Sequence, residues 1–193
     1  MLITTVVVLV CLWVRNHYRE TKDKITKIDE VFAMAQYGSA HSPPELIPDG
    51  NTAVFIVGNS RGGGLHALLW VQRMFPNHFQ NFVFMNARTV DSKAYGGREA
   101  LEAMRVDASV SLNYFVNFCR SHGMRAKSYL SFGTDAVEEL TSLAKQVAEN
   151  HPNAIFFTSK LVFEDENILT RLLHNQAALE LQRRLHNAGQ QMV

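Results

Sequence analysis

Thr52–Val57 (TAVFIV) is a short run of β-branched and aromatic residues, and Gly58–Gly64 (GNSRGGG) follows it directly. A helical pattern then runs from about Leu65 to Phe75 and stops before Pro76. An uninterrupted apolar run of this kind is typical of a strand that is buried on both faces. The stretch therefore predicts a strand, a glycine-rich turn and a helix, which is the opening unit of a parallel α/β sheet.

The same alternation of strand and helix continues to the end of the chain. Further strands are expected at Phe82–Asn86, Ala126–Phe132, Ala154–Thr158 and Gln190–Val193, and further helices at about Arg98–His122, after Asp135 and at Asn167–Asn187. Asp135 is the expected N-cap of its helix, because Glu138 follows it in a capping-box arrangement. Strands separated by such helices pair in parallel through right-handed crossovers. The predicted fold is α/β, a doubly wound five-stranded parallel sheet with the third strand at an edge.

Composition narrows the classes of protein to consider. The chain has 193 residues, 47% of them hydrophobic, which is enough for the core of one domain. A formal net charge of +1, without a basic stretch interleaved with aromatic residues, argues against a nucleic-acid partner. The two cysteines, Cys11 and Cys119, are far apart in sequence, so neither a disulfide framework nor a metal site is expected.

The apolar run Leu2–Val14 (LITTVVVLVCLWV) carries no charge. As a helix rising about 1.5 Å per residue it would span roughly 20 Å, less than the ~30 Å hydrocarbon core of a bilayer. Trp13 stands at its end and Arg15 and Arg19 follow, as expected of an interfacial aromatic residue and a basic cytoplasmic flank. A signal peptide would carry its positive charge before the run, and a buried strand is the other alternative. We expect residues 1–14 to be the C-terminal part of a transmembrane helix.

Two further segments follow this run. Residues 15–50 are expected to form a basic juxtamembrane helix and a linker, since Gly38–Gly50 is rich in Pro, Gly and Ser. Residues 51–193 are expected to form the α/β domain on the cytoplasmic side. Met192-Val193 resembles the opening of a strand that is not completed. We therefore expect the chain to be a piece of a longer protein, cut at both ends.

Gly58–Gly62 (GNSRG) spells G-x-S-x-G, the nucleophile elbow of α/β-hydrolases, in the expected strand–turn–helix context. Ser60 would then need a histidine as base and an acid to orient it. The later candidates are Asp91, Asp107, Asp135 and Asp165, with His122, His151, His174 and His186. A hydrolase sheet also has strands before the elbow, one of which supplies part of the oxyanion hole. Only the linker and the apolar run precede it here, so we assign no catalytic residue and expect a non-enzyme.

Two other interpretations of the glycine cluster remain open. A glycine-rich turn that leads into a helix presents backbone N–H groups and the positive end of the helix dipole to an anion, and an arginine adds a phosphate contact. Alternatively, the glycines allow the helix to pack close to its strand. The candidate ligand-binding residues are Gly58, Asn59, Ser60, Arg61, Gly62, Gly63 and Gly64. Asn86 and Asp91 are candidates by position alone, since open α/β sheets bind ligands at the carboxyl ends of their strands.

Four segments resemble the C-terminal cytoplasmic domain of a branch of the amino acid–polyamine–organocation transporter superfamily. These segments are Thr52–Phe75, Phe82–Asp91, Ser131–Glu139 and Asn153–Val193. The last is the most specific, with Phe156-Phe157, Lys160–Glu164, His174-Asn175, Gln182–Leu185 and Ala188-Gly189. The branch is labelled amino-acid permease and includes bacterial potassium importers. The resemblance covers about three quarters of the chain and identifies the leading apolar run with the last membrane helix of the family.

The resemblance implies a domain similar to universal stress proteins, with five parallel strands in the order 3-2-1-4-5 and frequent pairing into homodimers. Many such proteins bind ATP through a Gly-rich motif after the fourth strand. This chain departs from that motif, because no glycine lies between Gly133 and Gly189. Some potassium-importing relatives are regulated by a cyclic dinucleotide, so the resemblance leaves open a regulatory nucleotide, while no cofactor is assigned.

Together these observations predict a non-catalytic regulatory or dimerisation domain of a secondary transporter of amino acids or of a cation such as potassium. Its partners would be the membrane domain of the same protein, the bilayer at the N-terminal run and a second copy. The expected location is the bacterial inner membrane, with residues 15–193 on its cytoplasmic side. The alternatives are a free nucleotide-binding protein of the universal stress type and, less favoured, a small serine hydrolase.

Overall fold

The computed structural model describes residues 44–58, 61–90, 97–158 and 176–193, together with Val8, Leu9 and Leu12. Strands and helices alternate throughout the described part of the domain. The strands are β1 (Thr52–Ile56), β2 (Asn81–Thr89), β3 (Arg125–Gly133), β4 (Ala154–Thr158) and β5 (Gln191–Met192). The helices are α1 (Arg61–Met74), α2 (Gly97–Ser121), α3 (Ala136–Asn150) and α4 (Gln176–Asn187).

The five strands form one sheet in the order β3-β2-β1-β4-β5, and every pairing is parallel. Both the α/β class with a doubly wound parallel sheet and the strand order implied by the resemblance are confirmed. β1 is the central strand, and its Val54 pairs with Val83 of β2 on one side and with Phe156 of β4 on the other. β3 lies at an edge, as its lower apolar content predicted.

The core consists of two apolar layers, one on each face of the sheet. The layer under α1 and α2 is the more aromatic, and Phe84 lies in its centre. The Phe84 ring stacks on Phe55 at 5.4 Å and on Phe115 at 5.1 Å between ring centroids, so it connects β1, β2 and α2. The layer under α3 and α4 is mainly aliphatic, and its fully buried members are Val54, Val83, Met85, Ala144, Val147, Phe156, Leu181 and Leu185.

Two element boundaries differ from the predictions for identifiable reasons. α1 begins at Arg61 and not at about Leu65, so the glycine cluster belongs partly to the helix. Glycine costs a helix about 1 kcal/mol per residue relative to alanine, but Gly62–Gly64 are buried, and tertiary packing outweighs that cost here. β2 extends to Thr89 and not Asn86, because Ala87–Thr89 pair with Ser131–Gly133 of β3.

The other predicted elements agree with the structure to within a residue or two where it describes them. Asp135 is the N-cap of α3, and its carboxylate accepts hydrogen bonds from the N–H groups of Val137 (2.8 Å) and Glu138 (3.0 Å). β4 has the predicted bounds, and β5 covers only Gln191–Met192. The predicted start of the last helix, Asn167, lies outside the described residues.

Most of the predicted transmembrane and juxtamembrane segments also lies outside the described residues. Val8, Leu9 and Leu12, which belong to the apolar run, are helical and exposed. Within the part of the chain that the structure describes, no helix is both long and apolar enough to cross a bilayer.

The segment before β1 is attached to the amino-terminal edge of the sheet through Asn81, the fully buried first residue of β2. The Asn81 amide accepts a hydrogen bond from the N–H of Ile47 (2.9 Å) and donates one to the Ile47 carbonyl (2.7 Å). Asn153, which precedes β4, donates a hydrogen bond to the Asp49 carbonyl at 2.9 Å. This irregular segment is therefore hydrogen-bonded to the domain at the first residue of β2 and at the residue before β4.

We predict that Cys119 does not react with thiol reagents in the folded protein. Its side chain is fully buried in the α1–α2 layer, and burial raises the pKa of the thiol to about 12. Since the thiolate is the reactive form, its fraction at neutral pH falls by about a thousandfold relative to a free cysteine. In a Cys11→Ser variant, Ellman's reagent should label the chain only on unfolding in urea. Rapid labelling of the native protein would contradict this packing.

We also predict that stability falls in acid through His151, the C-cap of α3, which is only 5% exposed. Burial, with a contribution from the charge of Lys127, lowers the pKa of His151, so the folded chain binds a proton there less readily than the unfolded chain. The lowered pKa of His151 therefore leaves the free energy of unfolding at its full value above about pH 6.5. Below that pH the free energy of unfolding decreases as the pH falls toward the lowered pKa.

Urea denaturation between pH 7.5 and 5 measures this effect, with His151→Gln as the comparison because glutamine keeps polar atoms without titrating. The wild-type chain should lose more stability over this range than the variant. Identical pH dependence of the two proteins would show that His151 is not responsible.

Candidate functional site

The candidate site is the corner between β1 and α1, at the carboxyl-terminal edge of the sheet. The chain proceeds from β1 to β2 and β3 on one side, and then crosses to β4 on the other side of β1. This reversal is the topological switch point where open α/β sheets bind ligands. Of the seven residues predicted to bind a ligand, the structure describes Gly58 and Arg61–Gly64, whereas Asn59 and Ser60 lie outside the described residues.

The glycines of this corner have different surroundings. Gly64 lies against the core, since a Cβ atom added there would be 2.5 Å from two ring atoms of Phe115 and 3.2 Å from Val57 Cγ1. A Cβ atom added at exposed Gly58 would meet nothing within 4 Å. The close-packing interpretation therefore holds for Gly64, although its tightest contact is with α2 and not with the strand. Gly58 lies on the open side of the corner.

Arg61 begins α1 and is half-buried against α2. Its guanidinium carbon lies 5.0 Å from the centroid of the Tyr114 ring, a cation–π distance. Stacking on an aromatic ring orients a guanidinium and leaves its edge N–H groups available to an anion. Arg61 thus retains the chemistry that the sequence predicted for it, at the positive end of the α1 dipole.

Two polar residues of β2 extend this corner beyond the predicted set. Asn86 and Arg88 follow Phe84 on the strand face that α1 and α2 cover, because alternate residues of a strand share a face. Asn86 is only 5% exposed, yet its Nδ2 has no hydrogen-bond partner among the described residues, and the same is true of the buried Nε of Arg88. Buried donors are nearly always satisfied in proteins. Among the residues that the structure describes, this face of the sheet edge therefore has more buried N–H donors than acceptors that reach them.

α2 holds one of these donors in place. The Arg88 guanidinium donates to Asp107 at 3.3 Å, and Phe84 stacks on Phe115 further down the same strand and helix. On β2, Asn86 lies between Phe84 and Arg88. On α2, the buried Ser111 lies between their respective partners. The sequence singled out Asn86 by its position only and missed Arg88. The sequence did contain a signal for both residues. Along one face of β2 the alternate residues change from Phe82 and Phe84 to polar side chains.

The residues proposed to complete a catalytic triad do not gather at this corner where the structure describes them. His122, His151 and His186 lie at or near the C-terminal ends of α2, α3 and α4, which is the amino-terminal edge of the sheet. β1 spans five residues, so the two edges are separated by roughly 16 Å. Asp135 is engaged as a helix cap and Asp107 binds Arg88. His174, Asp91 and Asp165 lie outside the described residues.

Comparisons with protein-family models, with curated proteins and with solved structures find no match to this chain in any of the three. The function of the chain is therefore inferred from its residues, its strand order and the chemistry of the β1–α1 corner.

Proposed function

We propose that residues 51–193 are the cytoplasmic regulatory and dimerisation domain of a secondary transporter in a bacterial inner membrane. The observation that carries this proposal is the strand order β3-β2-β1-β4-β5 in an all-parallel sheet. It is the order implied by the resemblance to the tail of amino-acid and potassium permeases. In this proposal residues 1–14 end the last membrane helix, residues 15–50 connect it to the domain, and the transported solute is an amino acid or a cation such as potassium.

The position of the segment that precedes β1 supports a regulatory role. Residues 47–49 are hydrogen-bonded to the starts of β2 and β4 at the amino-terminal edge, whereas the β1–α1 corner lies at the carboxyl-terminal edge. A ligand at the corner and the connection to the membrane would therefore act on opposite ends of the same strands. Such a ligand biases the transporter only if its affinity differs between transport states.

The chemistry of the corner favours an anionic ligand or one rich in hydrogen-bond acceptors. Arg61 and the N-terminus of α1 supply positive charge, and the Asn86 and Arg88 donors lie on the adjoining strand. None of the described residues of the corner, Gly58 and Arg61–Gly64, carries a carboxylate, and the carboxylate of Asp107 on α2 is bound to Arg88. A regulatory nucleotide or inorganic phosphate would meet these requirements.

Membrane fractionation tests the transporter assignment. The natural gene, tagged at its 3′ end on the chromosome, should yield a product that stays in the membrane pellet after carbonate extraction. Its coding frame should also extend upstream through ten or more apolar segments. A product that begins at Met1 and remains in the supernatant would refute the assignment and would favour the free universal-stress-type protein, which the same strand order also fits.

Calorimetry tests the ligand site separately. The 193-residue chain should bind ATP, a cyclic dinucleotide or inorganic phosphate, and Arg61→Gln should weaken that binding by about tenfold or more, as expected when a charge-assisted contact is lost. Arg73→Gln is the matched control, because Arg73 is exposed at the other end of α1. Equal affinity of the two variants for each probe would remove the corner from the proposal while leaving the membrane assignment intact.

A further inference from the structure

β3 presents a long strand edge at one side of the sheet. It comprises nine residues, and all of them pair in register with β2. Within the described ranges no other strand pairs with β3. An edge of this length offers backbone N–H and C=O groups to a further strand.

The outward-facing backbone groups of β3 can be identified from its hydrogen bonds. The Gly133 carbonyl accepts from the Val90 N–H at 2.7 Å and thus points toward β2. Because successive residues of a strand point their backbone groups in opposite directions, those of Ala126, Ser128, Leu130 and Phe132 point outward. Arg120 donates to the Ala126 carbonyl at 3.2 Å, which agrees with this assignment. Ser128–Phe132 is therefore the segment of the edge that a further strand can reach.

The side chains along this segment are also suited to a partner. Every residue from Ser128 to Gly133 is half-buried, although α2 and α3 cover the two faces of the strand. Lys127 is exposed, but its ammonium lies 4.8 Å from the centroid of the Tyr129 ring and so is drawn along the strand. A lysine on an exposed edge strand commonly deters pairing with a further strand. Here it leaves the edge at Ser128–Phe132 open.

The charged residues on β3 and directly after it have opposite signs at its two ends, although the Arg105 guanidinium of α2 also lies over Phe132, 5.6 Å from its ring centroid. Arg125 and Lys127 lie at its amino-terminal end, and exposed Asp135 and Glu138 follow its carboxyl-terminal end. Hydrogen bonds from the N–H groups of Glu138 and Val137 lower the pKa of the Asp135 carboxyl, so it is ionised at neutral pH. An edge with this polarity is complementary to itself when a second copy is turned through a twofold axis. A partner of uniform charge would match only one end.

We infer that a second copy of this chain pairs with the first through an antiparallel β3–β3 contact that has Leu130 on the twofold axis. In this register Ser128 faces Phe132 of the second copy and Arg125 faces its Asp135. The two sheets then form one continuous sheet across the dimer. The inference rests on the dimerisation part of the proposed function and specifies which edge carries it, whereas it does not depend on membrane location or on a ligand.

Cysteine cross-linking of the 193-residue chain in a mild detergent tests the register. All variants carry Cys11→Ser, and Cys119 is fully buried. Leu130→Cys should form a covalent dimer on oxidation, because directly opposed residues in a hydrogen-bonded antiparallel pair lie about 5.5 Å apart between Cα atoms, within disulfide range. Ser128→Cys alone and Phe132→Cys alone should not cross-link, whereas an equal mixture of the two should.

Sedimentation equilibrium provides a readout that does not require a disulfide. Arg125→Glu should weaken dimerisation by about tenfold or more, since the changed charge faces Asp135 twice across the axis. Circular dichroism of the variant checks that it is folded. Wild-type affinity in the folded variant would overturn the charge argument and with it the register.

Three further results would overturn the inference. One is a dimer that cross-links through Gln191→Cys at the β5 edge and not through Leu130→Cys, which leaves proposed dimerisation standing. Another is cross-linking of Ser128→Cys alone as readily as of the mixture, which indicates another register or random collision. The third is a monomer at all concentrations, which removes dimerisation altogether. A protein that stays in the supernatant in the membrane fractionation but cross-links through Leu130→Cys would refute only the transporter assignment.

Discussion

Replacing Phe84 by alanine should lower the free energy of unfolding by about 3–5 kcal/mol, the cost typical of removing a fully buried aromatic side chain. Phe84 is in the centre of the more aromatic core layer, where its ring stacks on Phe55 and on Phe115. These rings belong to the central strand and to α2, so the resulting cavity would adjoin three elements. Stacked aromatic rings pack closely and relax little into such a space.

Urea denaturation followed by far-ultraviolet circular dichroism measures this loss. Phe75→Ala is the control, because Phe75 is 43% exposed and should cost less than about 1 kcal/mol. Phe84→Leu keeps most of the volume and should cost about 1–1.5 kcal/mol, which preserves the test if the alanine variant does not fold. A Phe84→Ala chain as stable as Phe75→Ala would contradict the described core.

Replacing Gly64 by alanine should destabilise the protein by about 1–3 kcal/mol, as is typical of overpacking. The new Cβ would lie 2.5 Å from the Cε1 and Cζ atoms of Phe115, whose ring is backed by Phe84 and cannot easily withdraw. Alanine favours a helix by about 1 kcal/mol over glycine, so propensity alone predicts the opposite sign. The sign of the change therefore distinguishes tertiary packing from local preference.

Gly58→Ala is the matched control for this substitution, because its Cβ would meet nothing within 4 Å. It should change stability by less than about 0.5 kcal/mol. A double-mutant cycle with Phe115→Leu assigns the cause, since the smaller side chain should relieve part of the penalty at Gly64. A stabilising Gly64→Ala substitution, or no coupling with Phe115, would show that the ring does not limit this helix.

The sequence predicted strand bounds best where a strand is an uninterrupted apolar run. β1 and β4 are uninterrupted apolar runs, and their predicted bounds differ from the structure by no more than one residue. β2 was predicted too short, because Arg88 and Thr89 lack apolar character and become a strand only through pairing with β3. The alternation of elements predicted parallel pairing, whereas the order of the strands came from a family resemblance. Periodicity does not specify which strands become neighbours.

The location of the candidate site could be predicted from the sequence, whereas the contacts within it could not. The turn after the first strand had to lie at the carboxyl-terminal edge of a parallel sheet, which placed Gly58 and Arg61 correctly. The role of Gly64 depends on a ring from α2, and that contact cannot be read from the residues around the glycine. Arg88 was missed for the same reason, since its relation to α2 is a property of the folded chain.

The attachment through Asn81 has a mechanical consequence for any force applied along the preceding chain. Since the Asn81 amide binds Ile47 and Asn153 binds Asp49, tension on residues 47–49 is shared between the first residue of β2 and the turn before β4. These strands flank β1 on its two sides. A pull would therefore load the three middle strands together for as long as these hydrogen bonds hold, and would act on β1 alone only after they break.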